Sequence, residues 1–322
     1  MTAPDFVAAE RAAQAAFFGQ TVAPALVMPG STYRLVAGQR EHNLAAEIRG
    51  PVSAYFAANR IQWHTFAAHS LSSQACCLNF LAPLARRPQL LARVVHRALA
   101  VDEPEMMPVE KGADGEPLYV GFEWTGRADY LSEWPSGGTA TRGANATSAD
   151  AVLRFQSGDR VTIVLVEWKY TESYEAPLKA VGNPTRLQRY TGKALAPDGP
   201  VRADLDLGVA DFFWEPFYQL LRQQMLAWRM QAAGEDEADR VVVLHVSPQQ
   251  NTRLHRVTAP ALRRFSDDAF AAFRATLVRP ADFVAVSTEN LFGPLMAEAT
   301  ADPGHRAWAD YLRQRYTFLS RV

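Results

Sequence analysis

Three residues near the middle of the chain, Asp150, Glu167 and Lys169, are of the types that hold a metal ion and activate water. Glu167 and Lys169 lie two apart in the apolar run 160–170 (RVTIVLVEWKY), which reads as a buried strand. Residues two apart in a strand share a face, so these two side chains point together and Trp168 points the other way. Ser157-Gly158-Asp159 reads as a hairpin turn back to the alternating segment 149–155 (ADAVLRF). With Gly158-Asp159 as the loop, Asp150 stands directly opposite Glu167. With Ser157-Gly158 as the loop, it stands one diagonal step away. Either register puts Asp150 on the shared face, with Cβ atoms roughly 4.5–8 Å apart. Two carboxylates that close repel unless a cation lies between them, and hard oxygen ligands suit Mg²⁺. Lysine adds one cation able to orient a water.

The alternative is a structural ion pair at a strand end. A bare Glu-x-Lys is expected about once in a chain this long at average residue usage. Here it occurs once, ends a buried run, and has an aspartate in register, which favours the chemical reading. Only four of the 33 basic residues are lysines (Lys111, Lys169, Lys179 and Lys193), so a lysine inside an apolar run is a pointed choice in an arginine-writing chain.

These residues need a scaffold. The 322 residues, 48% hydrophobic and 21% charged, suit one elaborated domain or two small ones. Residues 1 to about 105 read as mainly helical, with helices expected over 8–18, 69–85 and 89–99. Pro88 is placed to open the last of these. Strands are expected over 118–124, 149–155, 160–170 and 240–246. A helix starts near Glu215 with Pro216 in its first turn, and Phe217, Leu221, Met225 and Trp228 mark its apolar face. Segments 259–277 and 305–318 read as helical. The order of helices, three strands, a helix, a strand and further helices implies an α/β mixed sheet flanked by helices.

Asp150 and the Glu167-Trp168-Lys169 triplet resemble the PD-(D/E)XK nuclease superfamily, with Ala149 in place of the motif proline. More narrowly, the chain is similar to a family of bacterial restriction-endonuclease-like proteins. The segments that carry this are His69-Ser70-Leu71-Ser72-Ser73-Gln74, Phe122-Glu123-Trp124, Arg142-Gly143-Ala144-Asn145-Ala146-Thr147-Ser148-Ala149-Asp150 and Glu167-Trp168-Lys169-Tyr170-Thr171-Glu172. The likeness spans about residues 60–230. It implies a restriction-endonuclease-like core at 111–260, with helical N-terminal (1–110) and C-terminal (261–322) extensions packed as one unit. It also implies Mg²⁺-dependent phosphodiester hydrolysis, with Mn²⁺ able to substitute, in restriction, defence or repair. Asp150, Glu167 and the Trp168 carbonyl would hold the ion, and Lys169 would position the attacking water. Glu123 is a further candidate ligand, or else an exposed strand-end carboxylate. DNA is the expected partner ahead of RNA, and homodimerisation stays open. A catalytically silent nucleic-acid- or protein-binding module on the same fold is the alternative.

Secondary candidates follow. Arg127, Arg142 and Asn145, in the long segment 125–148, are candidate substrate contacts or incidental loop residues. Gln219, Arg222 and Gln223 share the helix face opposite Phe217 and Leu221. By the resemblance, Gln219 or Gln223 faces substrate, against the plainer reading of a solvated face. Gln74 opens an apolar helix that the resemblance sets near the site, or it belongs to a buried polar network.

Other classes lack their motifs: there is no GxGxxG, GxxxxGK[ST] or GxSxG. His64, His69, Cys76 and Cys77 fit no ordinary zinc spacing. The formal net charge of −1 means that a phosphate-binding surface must be local. Adjacent Cys76 and Cys77 offer no disulfide framework, and neither a signal peptide nor a membrane span is legible. A cytoplasmic protein is expected.

Overall fold

The computed structural model describes residues 5–135, 138, 141–144, 146–174, 184–301 and 303–320. Its organising element is the expected hairpin. Strands β5 (Ala149–Ser157) and β6 (Arg160–Trp168) pair antiparallel from Ala151 opposite Val166 to Ser157 opposite Arg160. The loop is therefore Gly158-Asp159, and Gly158 supplies the positive φ (+57°) that such a tight turn requires. The same register carried one step further sets Asp150 opposite Glu167.

Two strands continue the sheet in parallel: β7 (Arg240–Ser247) on β6, then β8 (Phe283–Ser287) on β7. On the other side, β1 (Glu105–Met107) and β4 (Gly121–Trp124) both pair antiparallel with β5, near its two ends. The result is a mixed six-stranded sheet. A separate small ribbon joins β2 (Glu110–Lys111) to β3 (Pro117–Leu118).

Alternation along β6 sorts the two cores. Val164, Val166 and Trp168 face one hydrophobic layer, and Ile163 and Leu165 face the other. The first layer is covered by helices α1 (Phe6–Thr21), α2 (Ala46–Ala58), α3 (Ser73–Leu81), α4 (Pro88–Leu99), α8 (Thr288–Ala301) and α9 (Pro303–Arg315). The second is covered chiefly by α6 (Phe217–Ala232), with α5 (Pro184–Ala194) and α7 (Ala269–Ala275). Glu167 and Lys169, in phase with Ile163 and Leu165, therefore emerge on the α6 side.

The helical starts have local causes. Pro88 occupies the first turn of α4, where no amide hydrogen is needed. Ser72 caps α3 by accepting the Ala75 amide. Several expectations are corrected. The segment 118–124 is not one strand: the Tyr119 amide bonds the Ala85 carbonyl, and the chain breaks between β3 and β4. The segment 259–277 is not one helix: Asp268 caps a short α7 instead, after a single turn at Pro260–Leu262. Strand β8 went unread because five residues (FVAVS) carry little periodic signal. Pro216 precedes α6 as its cap residue, and that helix is buried round most of its girth, including Leu220, Leu226 and Met230.

The chain's ends are tied together by buried polar bonds. Gln14 of α1 donates to the Arg315 carbonyl (2.9 Å), and the Arg315 guanidinium returns a bond to Gln14 (3.2 Å). Among the described residues, no helix is long and apolar enough to cross a membrane.

Candidate active site

At the end of the hairpin the sheet opens into a cavity of about 170 Å³, lined by Asp150, Glu167, Lys169, Glu123, His64 and the α6 residues Gln219, Arg222 and Gln223, among others. Three elements converge here: the hairpin, the end of β4, and the polar face of α6. The hairpin register brings Asp150, Glu167 and Lys169 together as their spacing predicts. Asp150 Oδ2 accepts the Trp168 amide hydrogen at 2.6 Å. Lys169 Nζ lies 2.5 Å from Glu167 Oε1, and Gln223 Nε2 donates to Glu167 Oε2 at 2.8 Å. Gln223 also donates to the Ser148 carbonyl, which locks the helix to the start of β5.

Burial makes these contacts matter. Glu167 is 5% exposed and Lys169 7%. Burial and the nearby charge of Glu167 push the Asp150 carboxyl up to about 8. Lys169 is opposed by burial, but the charges of Glu167 and Asp150 hold it protonated, well above its usual value. Glu215, just before α6, is pushed up to about 7 by burial. Both carboxyl shifts are led by burial, which disfavours the charged form.

Glu123 is a buried member of the site, at 2% exposure, and the reading of it as an exposed strand-end carboxylate is overturned. It lies one residue before the end of β4, left out of the pairing with β5, with φ +51°, a left-handed backbone that costs a non-glycine residue about 1–3 kcal/mol. That turn aims its carboxylate into the cavity. There Glu123 accepts a bond from Gln74 Nε2 (2.7 Å) and from Ser148 Oγ (3.2 Å), and it sits 3.2 Å from His64 Nε2. Gln74 is therefore a buried strut behind Glu123, not a substrate contact, and its Oε1 also accepts the His64 amide.

Arg142 is corrected in the same way. Its guanidinium forks onto Glu110 (2.7 Å) and the Tyr55 hydroxyl (2.8 Å), while Nε reaches the Phe122 and Glu123 carbonyls. It braces the backbone under Glu123, and all three of its nitrogens are engaged by protein acceptors. Arg127 is likewise engaged, by Asp236 and the Val109 carbonyl. Asn145 lies outside the described residues.

Gln219 and Gln223 do reach the cavity, and the Oε1 of each is buried without a hydrogen-bond partner. The plain solvated-face reading fails for Gln223, which is 4% exposed. The Trp168 side chain packs in the opposite layer against Phe80 (ring centroids 5.1 Å apart), as the alternation requires.

Sequence reasoning passed over His64 as a site residue. It comes from a turn after α2, and no spacing rule links it to Glu123. It also passed over Glu133, which accepts the Thr147 amide and the Tyr190 hydroxyl and lies 3.5 Å from Arg222.

Among the described residues, no group of three or more His, Cys, Asp or Glu side chains is arranged as a metal site. The donor chemistry nonetheless fits a hard divalent cation. Asp150 and Glu167 offer facing oxygen donors, Glu123 stands near, and burial, with the charge of Glu167, holds the Asp150 proton.

No curated protein and no solved structure matches this chain. One family does, described as "Restriction Endonuclease associating with ARP", over residues 11–317. That span takes in the whole sheet, every residue of the cavity and both cores apart from Phe6, Phe318 and Leu319, so the chain belongs to the Restriction Endonuclease associating with ARP family.

Proposed function

We propose that this protein is a divalent-metal-dependent nuclease of the PD-(D/E)XK type that acts on DNA. One observation carries the reading: Asp150 opposite Glu167 across a two-residue hairpin, with Lys169 Nζ 2.5 Å from Glu167, inside a cavity also reached by Gln219 and Gln223. Family membership supports a nuclease-like role for it.

Asp150 and Glu167, with the Trp168 carbonyl, would hold Mg²⁺ or Mn²⁺, and Glu123 is placed to add a further oxygen. Such an ion supplies Lewis-acid stabilisation of the phosphate and a more acidic water. The chain's own contribution is position. Gln223 fixes the Glu167 carboxylate. Lys169, kept charged, orients the water and stabilises negative charge that develops on the phosphate. The free Oε1 of Gln219 is an acceptor for that water. The family's description, a restriction endonuclease associating with ARP, makes that association part of this proposal.

A silent binding module on the same fold is the second reading. It is favoured by the carboxylates being already bonded to protein donors and by the lack of a ready three-residue metal cluster among the described residues. Incubation of plasmid and single-stranded DNA with Mg²⁺ or Mn²⁺ decides between them. Cleavage that disappears with EDTA and in Lys169→Ala upholds the nuclease. Absence of cleavage with either metal, alone and with the partner supplied, leaves the binding module.

A further inference from the structure

Beside the cavity, the chain presents aromatic rings and arginines that the hydrolytic site does not use. Residues 64–69 form a hydrogen-bonded turn: the Ala67 amide bonds the His64 carbonyl, and the His69 amide bonds the Phe66 carbonyl, each at 2.9 Å. His64, at one end, lines the cavity. Phe66, at the tip, is 70% exposed and is the most exposed large hydrophobic side chain among the described residues. Phe66, held out on a hydrogen-bonded turn two residues from cavity-lining His64, leaves most of its ring unpacked.

The far end of the turn is basic and aromatic. The His69 ring packs on Tyr33, with centroids 5.0 Å apart. The guanidinium groups of Arg11 and Arg34 lie 5.6 and 5.9 Å from the centroid of the same Tyr33 ring. Farther along, Arg40 stacks over Trp63 at 5.2 Å. All three arginines are exposed, and none forms an ion pair among the described residues. This contrasts with Arg86, Arg93, Arg142 and Arg240, each neutralised by a carboxylate. An arginine stacked on a ring keeps its N–H edges free for an anion. The positive field is felt locally: burial, then Arg34 and Arg11, push His69 down to about 4.

We infer that the 64–69 turn and the Arg11–Tyr33–Arg34 cluster form a track for single-stranded nucleic acid leading into the cavity, with Phe66 stacking on a base and the arginines pairing with flanking phosphates. An exposed ring at Phe66, beside the part-buried rings of Tyr33, Trp63 and His69 and interleaved with unpaired cations, is what a strand with open base faces requires. A duplex keeps its base faces covered and offers Phe66 nothing to stack on. The inference deepens the nuclease reading, on which it rests for the strand's orientation, but its test does not depend on cleavage.

That test is fluorescence anisotropy of a fluorescein-labelled 20-nucleotide DNA strand with the full chain in EDTA. Phe66→Ala should weaken binding by roughly tenfold, the typical loss of one base stack. Phe66→Trp should bind as wild type, whereas Phe66→Leu should behave like the alanine variant. Arg11→Ala with Arg34→Ala should flatten the salt dependence of log Kd by about 0.7 for each phosphate that is no longer neutralised. Circular dichroism on each variant shows that it is folded. Affinities within twofold of wild type for Phe66→Ala and for the double arginine variant overturn the inference. So does a wild-type protein that does not bind the strand, or one that binds the equivalent duplex as tightly. Binding through Phe66 without any cleavage keeps the track and removes the nuclease. Cleavage and binding both unaffected by these variants keep the nuclease and remove the track.

Discussion

Asp150 Oδ2 accepts the backbone amide of Trp168 at 2.6 Å, so the carboxylate on one strand is tied to the residue between Glu167 and Lys169 on the next. The tie fixes the spacing of the whole constellation, because Trp168 cannot shift without repacking against Phe80 and Phe292.

Asp150→Asn keeps the size of the side chain but cannot ionise to hold a cation. The expected result is loss of DNA cleavage by a factor on the order of 10²–10³ with the fold intact, since one of two facing anionic oxygen donors is lost. Lys169→Ala should lose cleavage as well. It should also lower stability by about 3–5 kcal/mol in urea unfolding, because Glu167 is left buried without its cation. Lys169→Arg is not expected to rescue activity, since a planar fork does not replace a point charge beside Glu167.

Metal binding should be visible without turnover. Mn²⁺ at about 100 times its Kd should stabilise the wild-type protein by about 2.7 kcal/mol, read as a rise in Tm, and EDTA should reverse it. Asp150→Asn should show little or no rise. A wild-type Tm that is indifferent to Mg²⁺ and Mn²⁺ would count against a metal at this site.

Gly143 is a point of close approach. A Cβ there would lie 2.7 Å from the Gln62 carbonyl oxygen and 3.3 Å from the Glu123 carboxylate, on a backbone with φ +74°. Gly143→Ala should therefore cost about 1–3 kcal/mol and disturb Glu123. The check is chemical denaturation paired with cleavage rate, and activity should fall further than stability alone explains.

Arg142 serves the fold. Arg142→Ala should destabilise by about 1.5–3 kcal/mol, because part-buried Glu110 loses its charged hydrogen-bond partner. Arg142→Lys should recover only part of this, because lysine cannot reach Glu110, Tyr55 and two carbonyls at once. Oligonucleotide affinity of the folded fraction should be unchanged, in contrast to the Arg11 and Arg34 variants.

His69 gives a pH signature. Its pKa in the folded protein is lowered to about 4 by burial and by Arg34 and Arg11, against an unfolded value near 6.5. The unfolded chain takes up this proton first as pH falls, so the contribution of His69 to stability is complete above about pH 6.5 and is lost between there and about pH 4. His69→Gln should flatten the stability–pH curve in that window. Arg34→Ala should flatten it partly, by letting the folded imidazole protonate sooner.

The site was legible where its chemistry is local. Period-two alternation and a glycine turn are short-range properties, and they are enough to put Asp150, Glu167 and Lys169 on one face. The same alternation sent Trp168 to the other layer. It also outlined four strands, although β1 and β8 escaped because strands of three and five residues have too few repeats to stand out. The functional reading of Arg142 and Gln74 failed for a different reason. Their partners, Glu110, Tyr55 and Glu123, are tens of residues away, and a side chain's type does not reveal whether its donors are already taken.

What the amino-acid sequence determined by itself, then, is the hairpin and the three residues that either of its two possible registers puts on one face, because backbone pleat acts over a few residues, whereas the pairing of Ser157 with Arg160 that selects the register is read from the structure. What only the tertiary structure decided is the environment of those residues: Gln223 bonded to Glu167, Glu123 turned inward on a left-handed backbone, and His64 delivered from a distant turn. Those depend on how α6, β4 and the segment after α2 pack on the sheet. Packing is settled by long-range burial, in which any one residue's partners are chosen by the whole chain.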